Sequence, residues 1–153
     1  EAGKHVICEK PLVSSLEEAR KYAKVDETFV KLAQKFWPGS LTILAVPSET
    51  AVQLGFKFSK IALRIPGSEF LVSLVKSMGI PLSATSANLH GQATSSNSSE
   101  IISSFDGKVD YILLTSANLQ DNTHSTIVDI SSGSVDILRQ GSISKEDIEN
   151  LFN

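Results

Sequence analysis

Helix-like and strand-like patterns interleave through the first half of this chain, and strand-like patterns cluster late. That order builds an α/β domain with a mixed sheet, because a purely parallel sheet needs a crossover between every pair of strands. Ser14-Ser15-Leu16-Glu17-Glu18 has the hydroxyl cap and acidic first turn of a helix start, and predicts a helix to about Val25. Asp26 caps a second helix through Phe36-Trp37, whose apolar stripe includes Phe29, Leu32, Ala33 and Phe36; Pro38-Gly39 stops it. Leu41–Val46 and Lys60–Ile65 read as buried strands. Ser68–Met78 reads as an amphipathic helix ended by Gly79, and Pro81–Ala84 as a short strand. A short helix from Ser98 or Ser99 to Phe105 precedes strands at Tyr111–Thr115, Ser125–Ile130 and Val135–Arg139. Ser132-Gly133 links the last two strands, and Ser144-Lys-Glu-Asp147 opens a terminal helix.

Composition narrows the function classes. The 153 residues are 41% hydrophobic and 20% charged, values of an ordinary globular domain with a real core. Net charge is −3, so any polyanion site must be a local basic patch. Cys8 is the sole cysteine, which excludes an internal disulfide and fits a reducing, cytoplasmic setting. No apolar run approaches the roughly 20 residues of a membrane span, so no membrane partner is expected. Residues 1–8 carry no signal peptide, and the chain opens on Glu1, as a fragment, a trimmed chain or a fusion product does. His5, His90 and His124 are scattered without ligand spacing, so no protein metal site is expected.

The stretch Pro81-Leu-Ser-Ala-Thr-Ser-Ala-Asn88 runs from an apolar lead-in to hydroxyls and an amide, followed by His90-Gly91 and the hydroxyl-rich run Thr94–Ser99. Small donors of this kind satisfy an anion without adding bulk. A serine-rich surface loop is the plain alternative. Arg64 stands inside the apolar run Ile61–Ile65, where a guanidinium is costly without a partner. Asp129, at the end of a strand pattern, reads as structural rather than catalytic, and no residue is singled out as catalytic.

Pro38-Gly-Ser-Leu-Thr42, Ala62-Leu-Arg-Ile-Pro66, Thr85-Ser-Ala-Asn88, Ser125-Thr-Ile-Val-Asp129 and Leu138-Arg-Gln-Gly141 follow one another at the ends of strands. In this order and spacing they resemble the YrdC-like family, the threonylcarbamoyl-AMP synthases, over residues from about Val25 to Ser142. The resemblance implies a twisted mixed sheet with flanking helices. It also implies an activity: L-threonine, bicarbonate and ATP are converted to threonylcarbamoyl-AMP and pyrophosphate, with Mg²⁺ accompanying the nucleotide. A downstream transferase then places the threonylcarbamoyl group on adenosine of tRNA. Carried over residue by residue, it puts Arg64, Ala84 and Ser125 on threonine. Lys10, Lys60, Ser86, Asn88, Thr94 and Arg139 fall on the nucleotide side.

The first 24 residues depart from the family pattern. No Thr-x-Thr-x-Tyr-Gly segment occurs, and Val6 stands where the family's Lys-x-Arg-Pro motif has arginine. Glu1–Leu12 with Ser15–Arg20 is similar instead to the Glu-Lys-Pro segment of glucose–fructose-oxidoreductase-like dehydrogenases, though no G-x-G-x-x-G unit is present. Residues 1–24 are therefore expected to be a divergent or foreign segment, with the nearly uninterrupted Glu-Lys-Pro match favouring the latter, and residues 25–153 the YrdC-like domain lacking the family's N-terminal segment. Two functions stay open: a synthase-like domain whose turnover is in doubt because part of the site is missing, and a non-catalytic module binding nucleotide or RNA.

Overall fold

The structure is a computed structural model that describes residues 10–89, 97–113 and 124–152. The chain divides into a larger unit, Glu1–Ala84 with His124–Asn153, and a smaller one, Thr85–Thr123. The larger unit contains a four-stranded sheet of order β3-β2-β5-β6: β2 is Leu41–Ala45, β3 Ile61–Leu63, β5 Thr126–Asp129 and β6 Asp136–Arg139. β2 runs antiparallel to β3 and parallel to β5, and β6 returns antiparallel to β5. The sheet is mixed, as the order of patterns predicts. A two-stranded sheet pairs β1 (Lys10–Leu12) with β4 (Leu82–Ala84).

Alternation along the strands divides the main sheet into two chemically different faces. Leu41, Ile43, Ala45, Ile61, Leu63, Ile65, Val128 and Ile130 lie on one face and are all buried in a single core cluster. Onto that face pack α1 (Leu16–Tyr22) through Ala19, α2 (Glu27–Phe36) through Phe29, Leu32 and Ala33, and α6 (Lys145–Glu149) through Ile148. Each large side chain buried this way stabilises the fold by roughly 1.5–3 kcal/mol. The pairing register puts Thr42, Leu44, Ala62, Arg64, Ser125, Ile127 and Asp129 on the other face. One face is therefore spent on stability and the other carries polar groups.

Local chemistry sets the helix ends. The Asp26 side chain accepts the Phe29 amide at 2.8 Å and starts α2; Trp37 ends it, and the Trp37–Pro38 peptide is cis. The Trp37 indole donates to the Leu41 carbonyl at 2.8 Å and meets Phe29 edge-on, so the turn is tied to β2. α4 (Glu69–Met78) begins at Ser68 and ends at Gly79, as expected. The capping box at Ser144 starts α6.

Four expectations are corrected. α1 stops at Tyr22 and not near Val25, because Ala23 turns extended, bridges to Pro47, and Lys24 then donates to the Val46 carbonyl. Lys10–Leu12 is a strand where none was expected, held by pairing to residues 70 or more positions away. A short helix α3, Glu49–Gln53, forms on a Ser48 cap that the strand-and-turn pattern does not reveal. Residues 111–113 are not strand, and 114 and 115 lie outside the described residues. In the smaller unit, α5 (Ser98–Phe105) is capped by Asn97.

Candidate functional site

The polar face of the sheet carries two arginines at one end. Arg64 follows β3 directly, and its backbone is fixed on both sides by β1 and the residue after it: Val13 donates to its carbonyl at 2.9 Å, and its own amide donates to the Pro11 carbonyl. Its side chain donates from Nε to the Gly39 carbonyl at 2.8 Å. Gly39 supplies that carbonyl from a very tight turn. A Cβ there would lie 2.5 Å from the Phe36 carbonyl oxygen, so only glycine fits. The Gly39 amide in turn donates to the Ile65 carbonyl at 2.9 Å. Both terminal nitrogens of Arg64 remain without a hydrogen-bond partner among the described residues.

Arg139 ends β6 and grips the start of β5. Its Nε and Nη2 donate to the Ser125 carbonyl at 3.1 and 2.8 Å, and Nη2 also donates to Ser125 Oγ at 3.0 Å. Thr42, fully buried in β2, donates its hydroxyl to the same Ser125 Oγ at 3.1 Å. Ser125 Oγ thus accepts twice, and its own proton has no acceptor among the described residues.

The electrostatics of this cluster are one-signed. Burial lowers the Arg64 pKa from the ordinary guanidinium value, and the like charge of Arg139 lowers it further. Neither arginine makes an ion pair among the described residues. Guanidinium does not lose its proton in proteins, so the stress persists as positive potential. An anion relieves it, and the free fork of Arg64 has the geometry to take a carboxylate through two bonds.

The other end of the same face is neutralised. Lys60 precedes β3, four residues from Arg64 or roughly 13 Å along an extended strand. It donates to Asp129 Oδ2, while Ser131 donates to Asp129 Oδ1 from its amide at 2.9 Å and its hydroxyl at 2.6 Å. Burial pushes the Asp129 carboxyl up, but the bonds from Lys60 and Ser131 outweigh it and hold the pKa below the usual value.

Of the residues singled out in the sequence, the structure brings Arg64, Ser125 and Arg139 together. Lys60 is placed at the opposite end of the sheet, ion-paired with Asp129. The Lys10 backbone pairs with Ala84 in the small sheet. Ser86 and Asn88 belong to the smaller unit, where the Asn88 amide donates to the Ser86 carbonyl at 3.0 Å. Thr94 lies outside the described residues. Sequence reasoning missed the roles of Gly39 and Thr42. A hydroxyl between Leu41 and Ile43 in a buried strand was the available signal for Thr42.

With this geometry in view, similarity to known proteins becomes specific. A family model described as telomere recombination, covering the Sua5, YciO and YrdC proteins, matches residues 6–141. The chain belongs to this family. Among curated relatives it is 28% identical, over 92% of its own length, to a threonylcarbamoyl-AMP synthase of Pyrococcus abyssi. It is also 28% identical, over 79% of its length, to one of Bacillus subtilis. It spans 42% and 35% of those two proteins. Among solved structures, P. abyssi Sua5 complexed with L-threonine superposes with a TM-score of 0.80 at 26% identity, covering 94% of this chain and 42% of that one. Escherichia coli YciO shares the fold with a TM-score of 0.79 at 22% identity, over 92% of this chain and 68% of its own.

The YrdC-like resemblance of the sequence is borne out. The dehydrogenase resemblance is not: the family match takes in Glu9-Lys10-Pro11, and Lys10–Leu12 is a strand paired to Leu82–Ala84. Val13, Ala19 and Ala23 are buried in the same core as β2 and β5.

Proposed function

We infer that this chain carries a threonylcarbamoyl-AMP synthase-like site that binds L-threonine through Arg64 and Ser125. The observation that supports it most is the acid-free pair Arg64 and Arg139, set with two hydroxyls on the polar face of the sheet. A carboxylate on the Arg64 fork with the Ser125 hydroxyl beside it fits an α-amino acid that carries its own small polar side chain. Arg139, held by Ser125 on one edge, offers its remaining nitrogen to a nucleotide phosphate. Ser86, Asn88, Thr94 and Lys10 are assigned to the nucleotide side on the family resemblance.

The reaction is a condensation. The threonine amine and bicarbonate form a carbamate, with loss of water. A carbamate oxygen attacks the α-phosphorus of ATP, and pyrophosphate leaves, with Mg²⁺ carried in on the nucleotide's phosphates. This chain's residues supply orientation and charge stabilisation rather than a covalent intermediate. The product would feed a transferase acting on tRNA.

The test is pyrophosphate release from ATP, dependent on both L-threonine and bicarbonate. Arg64→Lys keeps the charge but loses the fork, and is expected to weaken threonine use about tenfold. Binding of both ligands without pyrophosphate release would support the non-catalytic module instead. Absence of binding to either would overturn the reading.

A further inference from the structure

Ile137 and Arg139 stand two positions apart in β6, so an unbroken strand would point both side chains to one face. They point to opposite faces. Ile137 pairs with Val128 and packs against the core, whereas Arg139 pairs with Ile127 and reaches Ser125 on the polar face. A register shift between Ile127 and Val128 produces the difference: one step on β5 faces two on β6. Leu138 is the extra residue, and it is exposed. Loss of this bulge would return Arg139 to the core side, since a slip of one residue reverses every side chain beyond it.

Something must hold the bulge in place, and the contacts that do so lie just past β6. Thr126 is fully buried, with its side chain on the core face. Its Oγ1 accepts the Gly141 amide at 2.9 Å and the Ile143 amide at 3.1 Å, and donates to the Ile143 carbonyl at 2.8 Å. Ser142 adds a bond to the His124 carbonyl at 3.2 Å. Gly141 passes so close that a Cβ would stand 1.9 Å from the His124 carbonyl oxygen. One hydroxyl therefore satisfies three backbone groups and pins the chain leaving β6 to the start of β5.

We propose that Thr126 is a positioning residue for Arg139: its buried hydroxyl clamps residues 141–143 onto β5, fixes the bulge at Leu138, and thereby aims the guanidinium at Ser125. Thr126 acts from the core side of the sheet, through backbone, without touching a ligand. The effect on ligand binding rests on the proposed reading of the site; the orientation of Arg139 does not.

The test compares Thr126→Val, which removes the hydroxyl at nearly constant shape, with Thr126→Ser, which keeps it. Arginine side-chain NMR reads the Arg139 Nε–H, and calorimetry reads L-threonine binding. In Thr126→Val the Nε–H resonance should move to the solvent-exposed position and threonine affinity fall about tenfold. Thr126→Ser should restore both. An unmoved resonance in a folded Thr126→Val protein overturns the proposal. If the parent binds no threonine while the resonance moves as expected, the reading of the site fails and the positioning role stands. If Thr126→Val does not fold, the parent decides. In rising urea below global unfolding, the Gly141 and Ile143 amides and the Arg139 Nε–H should lose protection together. An Arg139 signal that outlasts those two amides overturns the proposal.

Discussion

Buried Asp129 and half-buried Arg64 sit on one face of one sheet and show opposite ways of treating a charge withdrawn from water. Asp129 is answered within the fold by Lys60 and Ser131. Its folded pKa lies below the unfolded value, so its contribution to stability is complete above the unfolded carboxyl pKa of about 3.9. That contribution is lost as pH falls through the lower folded value. Asp129→Asn is expected to cost about 2 kcal/mol near neutral pH, read by urea unfolding, and to flatten the acid limb of the stability profile. Among the described residues Arg64 is answered only by the Gly39 carbonyl, and the like charge of Arg139 strains it further. A fold optimised for stability alone would give it a carboxylate. That isolation is the residue-scale observation on which the proposed ligand site rests.

At the scale of elements, the site depends on turns more than on the strands they join. Gly39→Ala is expected to lower the melting temperature by several degrees, because the new Cβ must displace the Phe36 carbonyl. It should also weaken threonine binding, since the Gly39 carbonyl holds Arg64 in place. Calorimetric melting and titration of the same sample would check both. Periodicity made α2, α4 and the four strands of the main sheet legible in the sequence, since apolar stripes and alternation are local signals. Arg64 was legible as a charge inside an apolar run, and Ser125 and Arg139 through the order of motifs around them. The bulge at Leu138 was not, because its register is set by pairing with β5. Nor was the fate of Lys60, whose partner Asp129 lies 69 residues away. β1 escaped notice because a proline in a three-residue strand gives no alternation to read.

At the scale of the whole molecule, the N-terminal stretch decides whether the chain is a join of unrelated pieces. Val13, Ala19 and Ala23 fill the core beside Phe29 and Leu41, and β1 lines the backbone of Arg64. Removal of residues 1–24 is therefore expected to abolish the cooperative thermal transition of the larger unit, whereas a foreign appendage could be removed with little loss. The same architecture divides the sheet: the apolar face holds the helices, and the opposite face carries Arg64 and Arg139 at one end and the Lys60–Asp129 pair at the other. The most direct test of that account is calorimetric titration of the parent and of Arg64→Ala with L-threonine. The expected result is one-site binding at millimolar ligand or below in the parent, lost in a variant that melts at the same temperature. No heat in the parent, or undiminished binding in Arg64→Ala, would contradict it.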